Sequence, residues 1–364
     1  MKFRSERDSL VNALTTSARA AGNKGGFQLS LTGIHLALTG DELALTATDR
    51  ELSIRVLLAV NGQSDGKALP PARLASDVTR SLDIGAVDIE LSEEILKVDS
   101  AQCHFSLSTM NVDDFPVVKL LEGDPVVVKA EILLAAMRQV VHAASTDESR
   151  PVLTGVLLEA DENGLRLVTT DSYRLALCDL AGVEVLESGN SMIIPARALQ
   201  EVIRLLDDAE EVNLWFSDQE AAFGIDNVTI ITRLIEGDFP NYQGLIPDHQ
   251  PNSLSVNKEA LIGAIRRVKL MALDSTPIRL DMTADRLELS AVQEGIGQVV
   301  ETLNATYEGE DLVVAFNPEY LINGVQATPG EEIVLNTVDA LKPAVMRASG
   351  VNDYLYLLMP VRVS

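Results

Sequence analysis

Two stretches of the chain, LPPARLASDVTRSLDI at residues 69–84 and IIPARALQEVIRLLDD at residues 193–208, share one pattern: Pro-Ala-Arg, then a second arginine seven residues on. Arg73 and Arg197 are 124 positions apart, and so are Arg80 and Arg204. The repetition extends on both sides. Upstream, LALTATDRELSI around Asp49 and LRLVTTDSYRLAL around Asp171 are 122 apart, and downstream Asp-Phe-Pro recurs at Phe115 and Phe239, 124 apart. An amphipathic pattern opens each unit, RDSLVNALTTSARAA in the first and KAEILLAAMRQVVHAAS in the second. A more diverged third copy follows, with KEALIGAIRRVKLMA and DRLELSAVQ. FNPEYLINGVQ stands in the place of the arginine helix (Leu199 and Leu321 are 122 apart), and YLYLLMPVRVS forms its last strand.

A long internal period means tandem copies of one supersecondary unit. The expected fold is therefore α+β: three copies, 1–122, 123–249 and 250–364, each with two helices and roughly eight short, mostly antiparallel strands between turn residues. The joints are expected near LLEGDP (121–125) and LIPDHQPN (245–252). A sheet with exposed edges invites further pairing. Like units in a row can satisfy those edges against each other, but the terminal edges stay open unless the array closes on itself or on a second chain.

Hydrophobic residues make up 46% of the chain but aromatics only 4%, so the cores must be aliphatic. Neither a secretory leader nor an apolar run of membrane-spanning length is evident. Cys103 and Cys178, the only cysteines, lie in strand-like stretches and read as packing residues in a reducing cytoplasm.

The formal net charge of −25 repels nucleic acid and anionic membrane at long range, so the placement of the 29 basic residues matters more than their number. Residues seven apart on a helix lie on nearly the same face. Arg73 with Arg80, and Arg197 with Arg204, thus form two copies of a basic stripe. Leu74, Val78 and Leu82, and Ala198, Val202 and Leu205, are expected to meet the sheet on the opposite side. One reading of the stripes is a solvated face with intrachain ion pairs. The other is contact with phosphates, which without interleaved aromatics holds a backbone and reads no sequence. In the third copy Glu319 and Gln326 replace the arginines, and Arg266, Arg267 and Lys269 on the preceding helix become the candidates.

Other signals fail. GQSDGKA (62–68) has three residues between its glycines where a phosphate loop needs four, and no Ser or Thr after the lysine. None of the four histidines lies at metal-ligand spacing from another His or Cys, so no metal site and no cofactor are expected. Asp49 and Asp171 each follow a threonine at a strand end, which suits a turn better than acid–base chemistry.

Three tandem units, TDESRPVLTGV (146–156), TTDSYRLAL (169–177), DFPNY (238–242) and a tail ending in LLMPVRV together resemble the bacterial sliding clamp, the beta subunit of DNA polymerase III. The resemblance covers the whole chain. It implies a cytoplasmic, non-enzymatic processivity factor: a head-to-tail homodimer forming a ring, sheets outside and helices lining the hole, around duplex DNA. It also implies that the polymerase alpha subunit, the clamp loader and other replication and repair proteins insert a short peptide into one pocket. That pocket would use Leu153, Thr170, Ser172, Tyr173, Arg174, Leu175, Pro240 and Leu245 from the second copy. The third would add Asn317, Tyr320, Leu341, Pro343, Met359, Pro360, Val361 and Arg362. Lys24, Arg73, Arg80, Arg150, Arg197, Arg204, Arg266 and Arg267 would face DNA. Phe105 and Leu107 would meet Leu270 and Met271 of the second subunit. A clamp-like scaffold that binds peptides but not DNA is the alternative.

Overall fold

The computed structural model describes residues 1–22, 28–272 and 276–362. Among them are six α-helices: α1 (Arg7–Ala18), α2 (Ala72–Ser81), α3 (Ala130–Val140), α4 (Ala196–Leu206), α5 (Lys258–Lys269) and α6 (Pro318–Ala327). They fall two to a copy, and the strands between them are antiparallel throughout.

Local chemistry places the helix ends. Asn257 caps α5 by accepting a hydrogen bond from the Ala260 N–H at 3.0 Å, and Asn317 caps α6 by accepting from Glu319 and Tyr320 at 2.9 and 3.2 Å. Pro318 then occupies the first turn of α6, where its missing N–H costs nothing. On α2 the buried face is Ala72, Ala75, Ser76, Val78 and Thr79. Leu74 is 47% exposed, which corrects its expected place against the sheet. On α4 the inward residues are Ala198, Leu199, Val202 and Leu206, with Leu205 only half-buried. Small residues carry the buried side of α2, so its one leucine was a poor guide to orientation.

The two Thr-Asp turns are built alike. In the first copy Asp49 Oδ1 accepts from the N–H groups of Glu51 and Leu52, at 3.1 and 2.8 Å, and Thr48 Oγ1 accepts from the Arg50 N–H at 2.9 Å. In the second, Asp171 Oδ1 accepts from Tyr173 and Arg174, at 2.9 and 3.0 Å, and Thr170 Oγ1 accepts from Ser172 at 3.2 Å. Arg50 and Ser172 hold matching positive φ angles of 82° and 80°. These aspartates shape tight turns, as a side chain bonding its own backbone two residues on can do.

The chain divides into two compact units, Met1–Glu131 with Arg204–Leu234, and Ile132–Ile203 with Ile235–Ser364. The divisions fall inside the central copy rather than at the expected joints. Strand pairing gives the reason. In the first unit Val228–Arg233 of the second copy pairs with Leu52–Ala59 of the first, Ile230 opposite Ile54, completing an eight-stranded sheet. In the second unit Tyr354–Leu358 of the third copy pairs with Arg174–Ala181 of the second, Tyr356 opposite Ala176, inside a nine-stranded sheet. Half of the central copy is thus knitted to each neighbour. A five-stranded sheet in the first unit ends on the edge strand His104–Ser108, and a four-stranded sheet in the second ends on Gly297–Asn304.

Ile54 and Ile230 are both fully buried at their joint. Ile230→Ala is expected to cost about 3 kcal/mol through lost burial and a residual cavity, read as a lower urea midpoint for the first unit.

Candidate functional site

All sixteen residues expected at a peptide pocket lie in the second compact unit. At the centre is Arg174, where the first copy has the buried Leu52. Burying a guanidinium requires partners. Its Nε donates to Asp171 Oδ2 at 3.0 Å, with both side chains only 9% exposed, and its Cζ stands 4.4 Å from the centre of the Tyr320 ring. Asp171 therefore holds the turn with one oxygen and the arginine with the other. Nη1 of Arg174 is buried with no hydrogen-bond partner.

Aromatic rings and the C-terminal tail surround this cation. Tyr173, more than half exposed, stacks on Tyr320 with ring centres 6.3 Å apart. The Met359 N–H donates to the Tyr173 carbonyl at 2.9 Å, and the Val361 N–H to the Ala315 carbonyl at 2.7 Å, so the tail is anchored on both sides of Pro360. Ser172 accepts from Arg150 at 3.2 Å, while Arg150 also reaches Asp147 at 3.1 Å. Beneath Tyr320, Tyr356 donates its hydroxyl to the Tyr320 carbonyl at 2.8 Å and stacks on His142 at 5.6 Å.

The remaining residues divide by exposure. Leu175 is fully buried in an apolar cluster with Leu157, Tyr242, Val345 and Leu357, and Leu153 and Thr170 are buried too, so these three support the surface rather than present it. Pro240, Leu245, Leu341, Met359 and Arg362 are exposed, while Asn317, Pro343, Pro360 and Val361 are half-buried. Leu341 sits in a turn held by Asp339, which accepts from the Leu341 and Lys342 N–H groups at 2.8 and 2.9 Å. Sequence reasoning missed Phe239 and Ile246, which pack half-buried on the apolar cluster, and the His142–Tyr356 pair below Arg174. Setting the copies side by side gives a signal for that pair: a charge replaces Leu52, and it needs company.

Burial, reinforced by the Arg174 charge, pulls His142 down to about 4. Between the ordinary imidazole value of 6.5 and about pH 4 the unfolded chain therefore binds a proton that the folded chain refuses. Stability from this group is complete above that window and falls as pH drops through it, by at most about 3 kcal/mol. His142→Phe, which keeps a ring against Tyr356, should flatten the acid side of the urea-midpoint profile. A steric test comes from Gly324 in α6, where an added Cβ would stand 2.3 Å from a ring carbon of buried Tyr356. Gly324→Ala is expected to cost about 1–3 kcal/mol despite its better helix propensity, seen as a lower thermal midpoint.

Among the cationic candidates, Arg150 touches this cluster through Ser172. Arg73, Arg80, Arg197, Arg204, Arg150 and Arg266 are exposed. Lys24 lies outside the described residues. Arg80 donates to Thr15 Oγ1 at 3.0 Å, and Asp77 stands between the arginines of α2, 3.7 Å from Arg73 and 3.6 Å from Arg80. On α5, Arg267 forks onto both oxygens of Glu301 and holds that carboxyl below its ordinary range, and Lys269 pairs with Glu319. Both readings of the basic face thus have a foothold: the stripes exist, and carboxylates of the same chain accompany them.

At the expected subunit contact, Leu107 is buried within the first unit. Phe105 on the same edge strand is half-buried, Leu270 is 75% exposed, and Met271 lies beside Gly297.

Three tandem copies with antiparallel joints and two helices each define a DNA sliding clamp, a class that performs no chemistry. The comparisons agree. Family models of the DNA polymerase III beta subunit match residues 1–119 (N-terminal domain), 127–241 (central domain) and 243–362 (C-terminal domain). The beta sliding clamp of Streptomyces coelicolor is 32% identical over 377 residues, covering all of both chains. The crystal structure of the Bacillus subtilis clamp superimposes with a TM-score of 0.92 at 28% identity, and that of the Bartonella birtlesii clamp bound to griselimycin with 0.93 at 28%, each covering 100% of both chains. The chain belongs to the DNA polymerase III beta subunit family of sliding clamps. Among the described residues, no helix is long and apolar enough to cross a membrane.

Proposed function

We propose that this clamp works in the cytoplasm as a head-to-tail homodimer, a ring around duplex DNA whose helices face the phosphates. It tethers the polymerase alpha subunit, the clamp loader and other clients through peptides bound around Arg174. Its domains are 1–122, 123–249 and 250–364.

The observation that carries the ring is the rule of strand pairing. Within the chain, the last strand of one copy pairs with the fourth strand of the preceding one, placing Ile230 opposite Ile54 and Tyr356 opposite Ala176. The edge strands His104–Ser108 and Gly297–Asn304 are the two left over in the same roles. Carried through the hairpin registers, the rule sets Phe105 of one subunit opposite Val299 of the other. Both are half-buried in the single chain and stand where the other two joints bury an apolar pair. The solution mass should be twice 39.3 kDa. Phe105→Asp, which would bury an unpaired charge at the joint, should yield a monomer. A wild-type monomer at micromolar concentration would refute closure.

The peptide reading rests on the exposed Tyr173 ring, the solvent-facing Leu245, Leu341 and Met359, and the buried guanidinium behind them. An apolar hollow with a few fixed polar groups suits an extended peptide anchor. Deleting residues 360–364 removes the tail bonded to Ala315 and should abolish client-peptide binding while the dimer persists. Peptide affinity that survives the deletion refutes the site.

Replacing Arg73, Arg80, Arg197 and Arg204 together by glutamine should shorten retention on nicked circular DNA. Unchanged retention favours a scaffold that does not engage DNA.

A further inference from the structure

The carboxylates beside the basic stripes follow a pattern. On α2, Asp77 lies between two arginines, four residues after Arg73 and three before Arg80, within 3.7 and 3.6 Å of them. The same spacing recurs on α4, where Glu201 stands 124 positions after Asp77, between Arg197 and Arg204. The third copy reaches the same result with different residues, Glu301 on Arg267 and Glu319 on Lys269. The first and third copies therefore set acid against their own cations, and the second carries the spacing of the first, although the third shares none of the arginine positions of the other two.

We infer that Asp77 and Glu201 are attenuators: they cap the strength of phosphate contact so that each arginine exchanges a carboxylate for a phosphate instead of gaining a partner outright. The inference rests on the reading that these helices face DNA. Exposed pairs of this kind are weak and screened by salt, and the Asp77 contacts are longer than a charge-assisted hydrogen bond, so exchange is easy. Each acid also repels the duplex directly and lowers the number of cations free to release counterions from it. Fewer effective contacts mean a shallower salt dependence and a flatter landscape along the duplex. A protein held on DNA by topology needs that flatness, because tight contacts would stop its movement.

The test uses the full-length protein and a linear duplex followed by fluorescence anisotropy across a salt series. Asp77→Asn combined with Glu201→Gln should raise affinity at low salt about tenfold and steepen the slope of log K against log salt by roughly one to two ions. Loaded on nicked circles, the variant should diffuse several-fold more slowly. Unchanged affinity and slope overturn the inference. The fourfold arginine-to-glutamine variant separates the two claims: if it loses DNA while the carboxylate variant matches wild type, only the attenuator role fails. If it too binds as wild type, the DNA-facing reading fails. Asp77→Ala with Glu201→Ala is run in parallel, and thermal melts of both pairs ensure that the comparison uses a folded protein.

Discussion

The structure depends on how an antiparallel sheet disposes of its edges. A strand with one side unpaired presents a row of N–H and C=O groups that must find partners or water. Here each copy offers one late strand and one early strand, and the chain joins them in order. Because joining is by backbone hydrogen bonds, it tolerates sequence divergence between copies: Ile54 meets Ile230 at one joint and Ala176 meets Tyr356 at the other. In α6 the third copy lacks the arginines that α2 and α4 carry, and it still fits. The two compact units follow from the same constraint, since the central copy shares a sheet with each neighbour.

Within that shared frame the copies have specialised through single positions. The Thr-Asp turn is the same device twice, with matching bonds and positive φ, but the residue following the turn is Leu52 in one and Arg174 in the other. The leucine joins the core. The arginine needs Asp171, Tyr320 and the rings beneath, and this demand organises a surface that the first copy lacks. One turn thus carries an apolar core residue in the first copy and a polar anchor in the second.

Much of this was legible in the sequence because repetition separates design from accident. Two aspartates 122 apart at equivalent strand ends read as turns, and they are turns. Two copies of one basic stripe marked the exposed side of α2 and α4 correctly. What failed was inference from side-chain type alone. Leu74 was assigned inward because it is a leucine, whereas Val78 with alanine, serine and threonine carries the buried face of α2. The company kept by Arg174 was illegible because His142 and Tyr356 are 214 residues apart in the chain, and only the fold brings them together. The pairing of Arg267 with Glu301 escaped for the same reason.

The edge strands described above are unlike each other, and this has a mechanical corollary. A seam between His104–Ser108 and Gly297–Asn304 is not self-complementary, so in a dimer closed this way each subunit contributes one half to each seam. A hybrid made of one wild-type subunit and one altered at Phe105 would carry a single defective seam opposite a sound one. Such a hybrid is a hoop with a latch at a chosen place, and the latch's side is fixed by which subunit bears the change.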